Sequence, residues 1–198
     1  MTTEMTDPCP FCAGIDIRTY TEDRFRPYLR CRACELVFVP AAFHLSGKRE
    51  KAEYDLHQNH PDDAGYRRFL SRLADPMCAK LFKGAYGLDF GCGPGPALAA
   101  MFAESGFPMD VYDKFYAEHR HIFSKQYDFI IATEVLEHLK QPGAELLRLY
   151  KMLKNSGIMG IMTKLVIDRQ AFENWHYKND PTHICFFSKP TFQWLASA

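Results

Sequence analysis

"YGLDFGCGPGPALAAMF", residues 86–102, is an apolar run that breaks into a turn carrying Gly91, Gly93 and Gly95 and then resumes as an apolar helical pattern. Chains build strand–glycine–helix turns of this kind where backbone has to come close to a ligand. The dinucleotide fingerprint G-x-G-x-x-G is met at Gly91 and Gly93, but its third glycine is replaced by Pro96. Pro94 and Pro96 also delete two backbone N–H donors where a pyrophosphate would need them. No Gly-Lys-Ser/Thr follows, which excludes a phosphate-cradling P-loop. The turn therefore suits a ligand that needs close backbone approach and carries no phosphate.

Working outward, apolar strand patterns alternate with helical ones: "AYGLDF", "PALAAMFAES", "FPMDVYD", "YDFIIATEV", "EVLEHL", "PGAELLRLYKMLKN" and "IMGIMTKLV". This alternation predicts an α/β, doubly wound, mostly parallel sheet with helices on both faces. Ligands bind such sheets at the carboxyl ends of the strands, where the glycine turn, Asp113, Thr133 and Glu134 fall. Asp113 lies roughly 20 residues beyond Gly91, a spacing at which an acid accepts ribose hydroxyls. A nucleoside without phosphates describes S-adenosylmethionine.

The motifs "LDFGCGPG", "VYD", "YDFIIATEVLEHL" and "LKNSGIMGIMT" resemble the motif series of class I S-adenosylmethionine-dependent methyltransferases over about residues 84–195. The resemblance implies a Rossmann-like fold. It also implies that Asp89 and the turn residues Gly91, Cys92, Gly93 and Gly95 hold the methionine end of the cofactor. Asp113 would bind the ribose, and Thr133 and Glu134 would border the methyl group and the acceptor. Family members carry an acid after their third strand for the adenine amine. Here that segment shrinks to "KFYAEHRHIFSKQ", leaving His121–Ser124 as the nearest stretch for the contact. The chain stops within the helical pattern "TFQWLASA", so the family's closing antiparallel strands are expected to be missing through C-terminal truncation.

The sulfonium already activates the methyl group, so the protein must align a nucleophile and, where needed, remove a proton. Candidate bases are Glu137 and His138 in "VLEHL", and the polar cluster His176, Tyr177, Asp180 and His183 in "WHYKNDPTHICFF", residues 175–187. His183 is the first choice, His138 the second, and Glu134 the carboxylate nearest the expected methyl position. Tyr54, Asn59, Tyr66 and Arg67 are candidates for a lid.

Ahead of all this stand Cys9-x2-Cys12 and Cys31-x2-Cys34, separated by residues 13–30. That is inside the ~15–20 residue spacing of a four-thiolate zinc site. Four thiolates close the coordination sphere, so the Zn2+ is expected to be structural. A zinc ribbon ahead of such a domain also occurs in some of these methyltransferases, including certain sugar and ribosomal RNA enzymes. The expected organisation is a zinc-ribbon module at 1–45, a helical linker or lid at 46–83 and the methyltransferase domain at 84–198.

Lys+Arg and Asp+Glu each number 24, so no global basic field exists to hold nucleic acid or an anionic membrane. The N-terminal "MTTEMTDPCPF" lacks the features of a secretory signal, and the expected location is cytoplasmic. The leading expectation is methyl transfer to a small molecule at oxygen, nitrogen or carbon. The alternatives are an RNA or protein methyltransferase with the zinc module as reader, and a non-catalytic binding module.

Overall fold

A computed structural model of the chain describes residues 7–56 and 60–197. In chain order its elements are β1 (Ile17–Glu22), β2 (Pro27–Cys31), β3 (Val37–Phe38), α1 (Gly47–Tyr54), α2 (Ala64–Cys78), β4 (Gly87–Phe90), α3 (Ala97–Glu104), β5 (Met109–Tyr112), β6 (Tyr127–Thr133), α4 (Pro142–Lys151), β7 (Leu153–Met162), α5 (Arg169–Glu173), β8 (Cys185–Phe186) and α6 (Lys189–Ser197). The chain divides into two compact units. One is formed by Met1–Glu50, Leu136–Glu145 and Thr163–Ala198, the other by Lys51–Val135 and Leu146–Met162. Among the described residues no helix is long and apolar enough to cross a membrane.

The second unit is built on a parallel sheet of order β5-β4-β6-β7. The chain runs from β4 to β5 on one side, then returns to place β6 on the other side of β4. That reversal is the switch point at which such sheets open a crevice beyond their strand ends. The buried aliphatic and aromatic side chains of "LDF" and "YDFIIAT" follow from a sheet covered by helices. Leu70, Leu73 and Met77 of α2 and Leu98 and Phe102 of α3 form one core with Phe129 and Ile131 of β6. Gly87 is the residue that lets β4 and β6 close up. A Cβ there would stand 2.3 Å from the Phe129 ring.

The first unit holds an antiparallel sheet of order β1-β2-β3-β8, so the N-terminal strands are completed by a strand near the C-terminus. Its interior is aromatic: Tyr28 and Phe186 both meet Phe172 edge-to-face, at 5.0 and 5.1 Å between ring centres. Phe11, inside the first Cys-x-x-Cys, packs in the same way on Phe187 and Trp194.

Three local expectations are corrected. "EVLEHL" forms only a single short 3-10 turn, Leu136–His138. Glu134 sits at φ +51°, a left-handed conformation that no helix start accommodates. Pro76, a residue type that predicts a kink or split within a helical pattern, does not split α2, because it lies in the last turn and the helix ends two residues later. The strand expected as "IMGIMTKLV" begins earlier, at Leu153, and ends at Met162, while Val166 makes a lone bridge to Ser188. The shortened crossover between β5 and β6 is as expected, containing a short 3-10 helix at Arg120–Ser124.

Candidate functional site

In the second unit, strand register decides which side chains converge. Phe90 pairs with Tyr112, and Asp89 pairs with both Val111 and Ile131. Continuing that register puts Gly91, Asp113 and Thr133 at one level, just past three neighbouring strand ends. The amides of Gly91 and Cys92 donate to Tyr112 O at 2.7 and 3.1 Å, pinning the turn to β5. Gly91 and Gly93 have φ of +79° and +64°, which glycine adopts without strain. A Cβ on Gly91 would lie 2.4 Å from Val135 Cγ2, whereas one on Gly93 would face open space.

Asp113 is the hub of this turn. Its Oδ2 accepts from Gly93 N–H at 3.1 Å, and its Oδ1 accepts from the amides of Phe115 and Tyr116 at 2.8 and 3.2 Å. A carboxylate offers about four lone-pair directions, so a place remains for a ligand hydroxyl. Thr133 Oγ1 is buried and has no hydrogen-bond partner among the described residues, an acceptor–donor that a ligand would satisfy.

Asp89 is the acid most removed from water here, 3% exposed. Burial pushes its carboxyl up to about 7, with the Asp113 charge adding to the shift and the Ala99 amide opposing it. Between the ordinary carboxyl range and about pH 7 the folded chain thus holds a proton that the unfolded chain has lost. Asp89 therefore makes stability fall as pH rises through that window, and Asp89→Asn is expected to flatten the slope. Urea unfolding at about pH 5 and pH 8 checks this. Burial, with the charges of Asp89 and Asp113, pushes the Cys92 thiol up to about 12, so it stays protonated.

The lid candidates separate. Burial raises the Tyr66 phenol, and the charges of Asp89 and Glu134 raise it further. Tyr54 packs on Phe115, at 5.8 Å, next to Asp113. Arg67 turns to Glu104, and Asn59 lies outside the described residues. In the stretch expected near adenine, Phe123 meets Tyr112 edge-to-face at 4.8 Å.

In the first unit the four cysteines come together. Their sulfurs all lie within 4.8 Å of one another, with Cys9–Cys34 and Cys12–Cys31 at 3.5 Å. These separations are too long for a disulfide and near the ~3.8 Å edge of a tetrahedron with 2.3 Å zinc–sulfur bonds. The two Cys-x-x-Cys turns are built alike. Ala13 N–H donates to Cys9 O and Glu35 N–H to Cys31 O, both at 2.9 Å, and both donors have positive φ. Hydrogen bonding with Cys34 lowers Cys9 to about 6, while burial raises Cys12 to about 11. The set fits one divalent thiophilic ion.

The same unit gathers a second group. Ligand atoms of Glu137, His138 and His183 lie within 4.8 Å of one another, and Glu137 is fully buried. Glu137 Oε2 accepts from Thr163 Oγ1 at 3.0 Å, and Oε1 accepts a short hydrogen bond from the Tyr177 hydroxyl. His138 Nδ1 is 3.2 Å from Thr182 O, and His183 Nδ1 is 2.6 Å from Tyr177 O. A carbonyl can only accept, so both Nδ1 atoms carry hydrogen and the basic nitrogen of each neutral ring is Nε2.

The 176–183 loop is held by the N-terminal hairpin. Arg26 donates to the carbonyls of Lys178, Asp180 and Pro181, and Lys178 pairs with Asp23 at 2.9 Å. Sequence reasoning named His138, His183 and Glu137 but missed Thr163 and the Arg26 clamp. Neither has a local pattern, because each acts across more than 20 residues of chain.

A family model described as a methyltransferase domain matches residues 57–198. No curated protein matches the chain in sequence. Solved structures resemble it in fold. Coclaurine N-methyltransferase, bound to N-methylheliamine and S-adenosylhomocysteine (SAH), is 16% identical with a TM-score of 0.41, over 67% of this chain and 48% of its own. The plantazolicin methyltransferase BpumL, in complex with a monoazolic desmethylPZN analog and SAH, is 17% identical with a TM-score of 0.43, over 76% and 68%. The PH0226 protein from Pyrococcus horikoshii OT3 is 17% identical with a TM-score of 0.39, over 74% and 88%. The chain thus spans about half the length of the coclaurine enzyme.

Proposed function

The chain belongs to the methyltransferase-domain family, and from that membership we propose that it transfers a methyl group from S-adenosylmethionine to a small-molecule acceptor. The observation that carries this reading is the hydrogen bond from Gly93 N–H to Asp113 Oδ2, which joins the glycine turn to the ribose acid. When bound, the cofactor supplies a methyl group on a sulfonium sulfur, which leaves as SAH with the bonding electron pair. The backbone of Gly91, Cys92, Gly93 and Gly95, with Asp89, holds the methionine end. Asp113 takes the ribose hydroxyls, and Thr133 and Glu134 border the methyl group. His183, then His138, through Nε2, are the assigned proton-handling groups for the acceptor. Cys9, Cys12, Cys31 and Cys34 hold a structural zinc.

A small acceptor is favoured over RNA by the even charge balance. Arg26, in the N-terminal hairpin, is buried and committed to loop carbonyls, so it is not open to an anionic partner. The hairpin thus serves as a scaffold for the 176–183 loop. Calorimetric titration of S-adenosylmethionine into wild type and Asp113→Ala tests the reading. Wild type is expected to bind, and the variant to lose about tenfold or more in affinity, ~1.4 kcal/mol. NAD should give no binding, and equal affinities in the two proteins would remove Asp113 from the site.

A further inference from the structure

We propose that Glu137, His138 and His183 form a second metal site, distinct from the four cysteines, that takes a divalent transition-metal ion of the zinc class. Two imidazoles and one carboxylate are a donor set used by catalytic zinc, which leaves a coordination position open for an oxygen ligand. Clustering alone would be weak evidence, since buried histidines often serve only to complete a core. Three further features distinguish this group.

The first is the tautomer. Both Nδ1 atoms face backbone carbonyls, at 3.2 Å (His138 to Thr182) and 2.6 Å (His183 to Tyr177). This is the outer-shell arrangement by which metal-binding histidines are oriented, and it leaves Nε2 as the candidate ligand atom of each ring, that of His183 lying 3.7 Å from Asp180 Oδ2. The second is the carboxylate. Thr163 and Tyr177 hold both oxygens of Glu137 through hydroxyl donors, which sets its orientation. The third is rigidity of the two segments. Ile184 N–H donates to Glu137 O at 2.8 Å, and the Cys185 thiol reaches Leu139 O at 3.4 Å, so the two histidines are held together by backbone as well as by packing. His138, the partly exposed member, also lines a small cleft with His44, Glu50 and Thr182, of about 10 Å³, room for roughly one water-sized ligand beside that imidazole.

With both Nε2 atoms on the ion, the imidazoles would no longer take the proton themselves; the ion would instead lower the pKa of a coordinated acceptor O–H, whose proton passes to solvent. Its presence does not depend on methyl transfer.

The test uses the full chain, stripped with a chelator and titrated with Zn2+ or Co2+. Wild type is expected to take up about two equivalents, and His138→Ala or His138→Gln about one. In both variants the intense thiolate–cobalt absorption of the cysteine site should persist, reporting that the fold is intact. Tyr177→Phe should weaken the second equivalent about 10-fold or more and leave the first alone. Uptake of only about one equivalent by wild type overturns the proposal, however the variants behave. Unchanged two-ion uptake in both folded His138 variants also overturns it. S-adenosylmethionine affinity, measured separately, distinguishes failure of this site from failure of the methyltransferase reading.

Discussion

Cys31→Ser is expected to release the zinc and to lower the melting temperature of the chain by roughly 10 °C. Cys31 is fully buried at the end of β2, its amide donates to Leu36 O, and its sulfur is 3.5 Å from that of Cys12. Structural zinc in isolated fingers contributes about 10–16 kcal/mol, and a site reduced to three thiolates keeps only part of that. A net loss of about 4 kcal/mol converts to roughly 8–16 °C for a domain of this size. The effect should spread beyond residues 1–45, because β3 pairs with β8 and Phe11 packs on Phe187 and Trp194. Cys78→Ser, at a thiol outside the cluster, is the control and should leave the metal in place. Metal analysis alongside calorimetric melting decides the matter. A Cys31→Ser protein that binds as much metal as wild type and keeps its melting temperature would mean that the four sulfurs do not hold an ion together.

Why was so much of the second unit legible in the sequence, and less of the first? The glycine turn, Asp113 and the buried run "YDFIIAT" are dictated by neighbours a few residues away, through φ sign, strand period and turn spacing. Even the left-handed Glu134, which stops "EVLEHL" from becoming a helix, breaks a local rule, since a non-glycine residue there is uncommon. The first unit obeys no such locality. The Cys-x-x-Cys pairs were readable because four thiols that converge in this way follow a recognisable spacing. The pairing of β3 with β8 joins positions near residues 37 and 186 and rests on two-residue strands that leave no periodicity to detect. Arg26 is similar. In sequence it is one of several hairpin arginines, and only the fold shows its guanidinium turned inward onto three carbonyls. The glycine turn was thus written locally, whereas the scaffold of the polar loop is tertiary.

The glycine turn yields the sharpest contrast available in this molecule, between Gly91→Ala and Gly93→Ala. Both substitutions place a side chain on backbone of positive φ, which costs about 1–2 kcal/mol each. For Gly93 that is all the protein itself imposes, because no atom lies within 4 Å of the new Cβ. Its melting temperature should fall by only a few degrees, about 2–4 °C per kcal/mol. The new methyl does, however, project into the space assigned to the cofactor, so S-adenosylmethionine affinity should fall about tenfold or more. Gly91→Ala meets Val135 instead, with Cγ2 at 2.4 Å and Cγ1 at 2.8 Å, and the turn must move away from β6 to relieve the overlap. Overpacking of that kind costs typically 1–3 kcal/mol beyond the backbone strain. That displacement would also pull the Gly91 and Cys92 amides from Tyr112 O, so stability and cofactor binding should fail together, with affinity down about 100-fold, ~2.7 kcal/mol. Val135→Ala removes the clashing methyl groups but not the strain. In the Gly91→Ala background it should recover about 1 kcal/mol or more, a coupling readable in a double-mutant cycle. Denaturant unfolding and calorimetric titration of the four proteins give both quantities. If Val135→Ala restores nothing, the close approach of β4's turn to Val135 is not what holds the cofactor loop in place.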